Sequence, residues 1–158
     1  MEKEIIRLDK VSGINATIKR IGSAEVTPMK LGRGITKHLA GPPEGAQRVD
    51  AHINVINEDS GIGPYHYHEK AENIYIVLDG VVEAIVDGKR YYLVKDDVAF
   101  IPPGVPHAAG SAGLGIATVL EIYAPAGTDF HIIDDPEEIT DVERPEIAHL
   151  LPESKRGS

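Results

Sequence analysis

GPYHYHEKAENIYIVLDG, residues 63–80, decides how the rest of the chain reads. Two histidines stand one residue apart, and a carboxylate, an amide and an apolar run follow at once. On an extended strand residues i and i+2 face the same side, so His66 and His68 project together while Tyr65 and Tyr67 point the other way as packing residues. Beyond them NIYIVL, Asp79-Gly80, VVEAIV, Asp87-Gly88 and KRYYLV repeat a strand-turn-strand signature, with Asp87-Gly88 the strongest hairpin signal.

The same pattern extends in both directions. INATIKRI (residues 14–21), GITKHLA and RVDAHINVI are short β-like stretches separated by turns such as AGPPEGA. After the hairpin, VAFI runs into PPGVPH, whose prolines cannot donate to a sheet ladder and mark a strand end. GIATVLEIYAP and FHII supply two more strands. One helix signal appears near the end, with Asp135 as N-cap, Pro136 at the first helical position and Glu138 three residues after the cap. Many short strands without a long amphipathic helix predict an all-β sandwich or barrel.

Composition narrows the function classes. The chain has 158 residues, 42% of them hydrophobic, which suits one compact domain. It has no cysteine, so any transition metal must be held by histidine and carboxylate. A formal charge of −9 repels a phosphate backbone and argues against nucleic acid as a partner. The N-terminus MEKEIIRLDK has no apolar signal core, and the longest apolar runs fall short of a bilayer span, so the expected location is cytoplasmic with no membrane partner. The acidic run DDPEEITDVERPE, residues 134–146, reads as a solvated surface segment.

Seven histidines are present. A third one, His107, follows VAFIPPGVP, where a hairpin returns it to the face of His66 and His68. Three imidazoles on a rigid sheet suit a divalent transition metal and leave positions open for substrate or water. An H-x-H pair also occurs in metal-dependent (β/α)₈ hydrolases, but that barrel needs roughly 200 residues or more and its helices are missing here. His52 shares a polar strand face with Arg48, Asp50 and Asn54, a face that meets solvent or a barrel mouth. His38, His131 and His149 read as structural. Tyr75 and Tyr123 are placed to pack or to reach a pocket.

The segment from Ser60 to Ser111 resembles the paired motifs of the cupin superfamily. His66, His68 and Gly80 match the first, and Pro102, Gly104 and His107 match the second. Ser60, Asp96 and Ser111 stand where the pattern has glycine, glycine and asparagine. The resemblance implies a single double-stranded β-helix, or jelly-roll, barrel. Residues 46–133 would form it, residues 1–45 would add N-terminal strands, and residues 134–158 would be an acidic segment with a short helix and a flexible end. It also implies a metal site of His66, His68, Glu72 and His107 holding Fe, Mn, Ni or Zn. Counting forward from His68 selects Glu72, whereas counting back from Gly80 selects Asn73. The implied function is a metal-dependent enzyme on a small organic molecule, of dioxygenase, decarboxylase or isomerase type. The alternative is a non-catalytic metabolite-binding module. Exposed sheet edges predict a homodimer.

Overall fold

The computed structural model describes residues 10–12, 16–127 and 129–156. The first two residues of the INATIKRI stretch and the last two of the chain lie outside them. Fourteen strands are present among the described residues, and they fall into a small ribbon and two six-stranded sheets.

The ribbon pairs β1 (Lys10–Ser12) with β2 (Thr17–Lys19). The first large sheet holds β3 (Val26–Pro28), β4 (Gly34–Ala40), β5 (Asp50–Ile56), β7 (Glu72–Asp79), β10 (Val98–Ile101) and β12 (Ala117–Ala124). Their spatial order is β10-β7-β12-β5-β4-β3, so the N-terminal strands continue the sheet beyond β5. The second sheet holds β6 (His66–Tyr67), β8 (Val81–Val86), β9 (Lys89–Val94), β11 (His107–Ser111), β13 (His131–Ile132) and β14 (Thr140–Asp141). Its order is β13-β6-β11-β8-β9-β14.

Alternation along the strands builds the core between the sheets. Val77 from the first sheet meets Val82, Ala84 and Leu93 from the second, with Ile101 and Val119 closing the cluster. The polar residues between these positions face outward, as a pleated strand requires. The result is an all-β barrel of the jelly-roll kind.

The two Asp-Gly turns differ. Asp87 and Gly88 both take positive φ (49° and 73°) and join β8 to β9 as a tight hairpin, with Val86 opposite Lys89. Asp79-Gly80 does not close a hairpin, because β7 pairs with β10 and β12 while β8 pairs with β9 and β11. It is a corner at which the chain crosses between sheets. Asp96, standing where a glycine is expected, adopts φ 73° and carries the left-handed turn itself.

The C-terminal helix also departs from expectation. Residues 134–139 are not helical. Thr140 and Val142 instead donate backbone hydrogen bonds to Gly88 and Arg90, which draws the segment out parallel to β9. This pairing outcompetes the capping signal at Asp135. Helical structure begins at Pro145, where a 3₁₀ turn over Pro145–Leu150 buries Ile147. Arg144, just before it, forms an ion pair with Asp97.

Candidate metal centre

β6 and β11 lie side by side and antiparallel, with His66 directly opposite His107. His68 follows β6 by one residue on the same face. The three side chains are buried at 7%, 4% and 0% exposure for His66, His68 and His107. Each offers a ligand nitrogen within 4.8 Å of the others. The ring centroids of His66 and His107 are 4.3 Å apart.

Backbone carbonyls fix the tautomers. The Nδ1–H of His66 donates to the Pro64 carbonyl at 2.8 Å, and that of His107 to Val105 at 2.9 Å. His68 Nδ1–H donates to the carbonyl of Asp129. With Nδ1 protonated in all three, the Nε2 lone pairs turn inward, and that of His66 is buried with no hydrogen-bond partner. Three converging lone pairs at a buried point are the donor set of a borderline transition cation, and the orphaned nitrogen lacks only the acceptor of its lone pair. Burial, helped by the neighbouring imidazoles, pushes His66 down to about 4 and also lowers His107. Both shifts favour the neutral imidazole that ligation requires.

Glu72 is not part of this group. It lies exposed at the start of β7, on the opposite face from Asn73. Strand alternation therefore resolves the two reading frames in favour of Asn73, which is fully buried. Its Nδ2 lies 3.3 Å from His68 Nε2 and 3.2 Å from His107 Nε2. The carboxylate expected at that place is replaced by a neutral amide.

A carboxylate stands one step farther back. Glu121, on β12 and only 6% exposed, accepts a hydrogen bond from Asn73 Nδ2 at 3.1 Å through Oε1. The Tyr123 hydroxyl donates to the same oxygen at 2.8 Å. Oε2 accepts from Asn54 Nδ2 at 2.7 Å and from His52 Nε2 at 3.2 Å. Burial alone would raise the Glu121 carboxyl, but His52, Tyr123 and Asn73 hold it at about 2. Burial likewise opposes charge on His52, yet Glu121 and Asp50 raise its pKa above the ordinary value. The sequence reading did not single out Glu121. Its one signal is a lone acid between Val119 and Tyr123 on the inward side of a strand.

The polar face of β5 thus looks into the barrel through His52 and Asn54, whereas Arg48 lies exposed before the strand begins. A cavity of about 180 Å³ opens beside the histidines and is bordered by Arg33, His52, His66, Tyr75, Glu121 and Phe130, among others. Tyr75 and Tyr123 both line it, and burial raises both phenols well above their ordinary pKa. Phe130 stacks on His66 at 3.9 Å between centroids. His131 serves packing, stacked on Tyr67 and paired with Asp129.

A family model described as a cupin domain matches residues 55–123, the span that contains all three histidines, Asn73 and Glu121. The chain carries a cupin domain. A stretch of 45 residues is 44% identical to quercetin 2,3-dioxygenase of Bacillus subtilis (strain 168). That stretch is 28% of this chain and 13% of the dioxygenase. Among solved structures, the polyketide cyclase RemF of Streptomyces resistomycificus superposes with a TM-score of 0.63 at 18% identity, covering 88% of this chain and 96% of RemF. A protein from Planctomyces limnophilus does so with a TM-score of 0.59 at 25% identity, covering 73% and 95%. The likeness to RemF extends the agreement in fold beyond the matched domain to most of the chain. No helix among the described residues is long and apolar enough to cross a membrane.

Proposed function

We propose that this cupin is a metal-dependent enzyme acting on a small organic molecule, of the dioxygenase, decarboxylase or isomerase type. His66, His68 and His107 would hold a divalent cation such as Fe, Mn, Ni or Zn. The observation that carries this reading is the convergence of three tautomer-fixed Nε2 lone pairs, one of them the unpartnered nitrogen of His66, beside a cavity that His66 lines. When bound, the cation supplies Lewis acidity toward a substrate oxygen.

The chain's own residues do the rest. Val119, Ile56 and Phe130 give the cavity an apolar wall, against which charge interactions are stronger than in open water. Glu121 and His52 hold one proton between them at its border, with the proton resident on His52. They are the groups positioned to give or take a proton there. Asn73 orients the Glu121 carboxylate toward the histidines.

Elemental analysis of protein purified without chelators or a histidine tag tests the assignment. The expected result is close to one equivalent of a transition metal, lost in His66→Ala and His107→Ala. Metal-free protein that still binds metabolites would leave a non-catalytic cupin instead.

We further infer a homodimer. β10 is an edge of the first sheet, and its Val98 and Phe100 are 62% and 56% exposed, an apolar row that a second copy would cover. Sedimentation showing a monomer at micromolar concentration would rule this out.

A further inference from the structure

Arg33 enters the cavity from outside the motif-bearing segment. It follows a 3₁₀ turn over Lys30–Gly32, and its main-chain carbonyl accepts a hydrogen bond from the Asn57 N–H, which anchors it at the head of β4. Its side chain reaches to β11, where Nη2 donates to the Ala109 carbonyl at 2.9 Å. Gly63 makes the room: a Cβ there would lie 2.6 Å from Nη1. The guanidinium therefore rests in a fitted slot, on the border of the same cavity as His66 and Glu121.

Its hydrogen-bonding capacity is mostly unspent. The Nε–H is buried without a partner, and none of the ion pairs among the described residues includes Arg33. Glu121 acts on it only at a distance and forms no hydrogen bond to it, because that carboxylate is engaged by His52, Asn54, Asn73 and Tyr123. A guanidinium stays charged at all accessible pH values, and its planar fork matches a carboxylate in two parallel hydrogen bonds. The cavity wall thus carries a guanidinium that no carboxylate among the described residues engages directly. An apolar cavity of about 150 Å³ is known to hold a benzene-sized molecule, so about 180 Å³ limits the enclosed part of a ligand to a similar size.

Building on the metal-centre reading, we propose that the substrate is a small organic carboxylate and that Arg33 is the residue that recognises its carboxylate group. The rest of the molecule then extends along the cavity toward His66.

Calorimetry on the full chain with two matched pairs tests this: 2-oxobutanoate against 2-oxobutanamide, and butanoate against butanamide. Each pair keeps shape and removes charge. Wild type is expected to prefer the carboxylate at least tenfold in one pair or both. Arg33→Gln should abolish the preference and Arg33→Lys should restore part of it, with metal content unchanged in both. No preference in either pair, or a preference that survives Arg33→Gln, overturns the proposal. Metal content measured on the same samples separates the two readings: a metal-free wild type with an Arg33-dependent preference sinks the metal centre alone, and a metal-loaded one without preference sinks the Arg33 assignment alone.

Discussion

Glu121 and His52 face each other across adjacent strands of one sheet, register partners whose Oε2 and Nε2 atoms lie 3.2 Å apart. Both are largely removed from water, with side-chain exposures of 8% and 13%. An ion pair there is strong only while both members are charged. Removing one partner strands the other, at a cost of about 3 kcal/mol.

The pH dependence of that cost has a definite sign. His52 is raised above its usual 6.5, so its contribution is complete below 6.5 and fades as pH rises through the raised value. Glu121 is held at about 2, so its contribution is complete above its usual 4.5 and fades as pH falls toward 2. Urea unfolding of wild type and Glu121→Gln should therefore differ most between pH 4.5 and 6.5, with the gap narrowing as pH falls toward 2 and as it rises above 6.5 through the raised value of His52. A gap that does not vary with pH would contradict the charged pairing.

Asn73→Asp places a second carboxylate 3.1 Å from Glu121. Like charges at that distance destabilise the metal-free protein, while a cation among the histidines relieves the repulsion. Thermal melts should show a lower Tm than wild type without metal and a larger rise than wild type on adding Zn²⁺. Equal Zn²⁺-induced rises in the two proteins would argue against a cation at this point.

Asp129 holds the segment after His68 in place. Its carboxylate accepts from the N–H groups of Glu69, Lys70 and Ala71, while its carbonyl orients the His68 ring. Asp129→Ala should cost about 2 kcal/mol. It should also weaken Zn²⁺ affinity tenfold or more, as loss of outer-shell support commonly does. Unchanged affinity in a calorimetric titration would show that His68 is oriented without it.

Gly80 turns the corner between the sheets at φ 76°, and a Cβ there would meet the Ile116 carbonyl at 2.2 Å. Gly80→Ala combines backbone strain with a clash against main chain that cannot yield, and should destabilise by about 3 kcal/mol. Chemical denaturation measures it directly, and a loss below 1 kcal/mol would mean that the corner rearranges.

Strand alternation and turn chemistry are written locally, so the β content, the Asp87-Gly88 hairpin and the shared face of His66 and His68 were legible in the sequence. The choice between Glu72 and Asn73 was not, because it depends on where β7 begins, which is set by its pairing with β10 and β12. Glu121 and Arg33 were invisible for a related reason. Each is an ordinary charged residue in its own stretch and acquires meaning only from partners on other strands. The helix expected at Asp135 failed because a capping signal worth about 1 kcal/mol competed with backbone pairing to β9 that no local pattern announces.

β6 is only two residues long and is held on one side by β11 and on the other by β13. An ion gripped by His66 and His107 would rivet two strands distant along the chain, so its escape must await the peeling of that short strand. The dissociation rate of such an ion would then serve as a clock for local opening of the barrel, readable without labelling the protein.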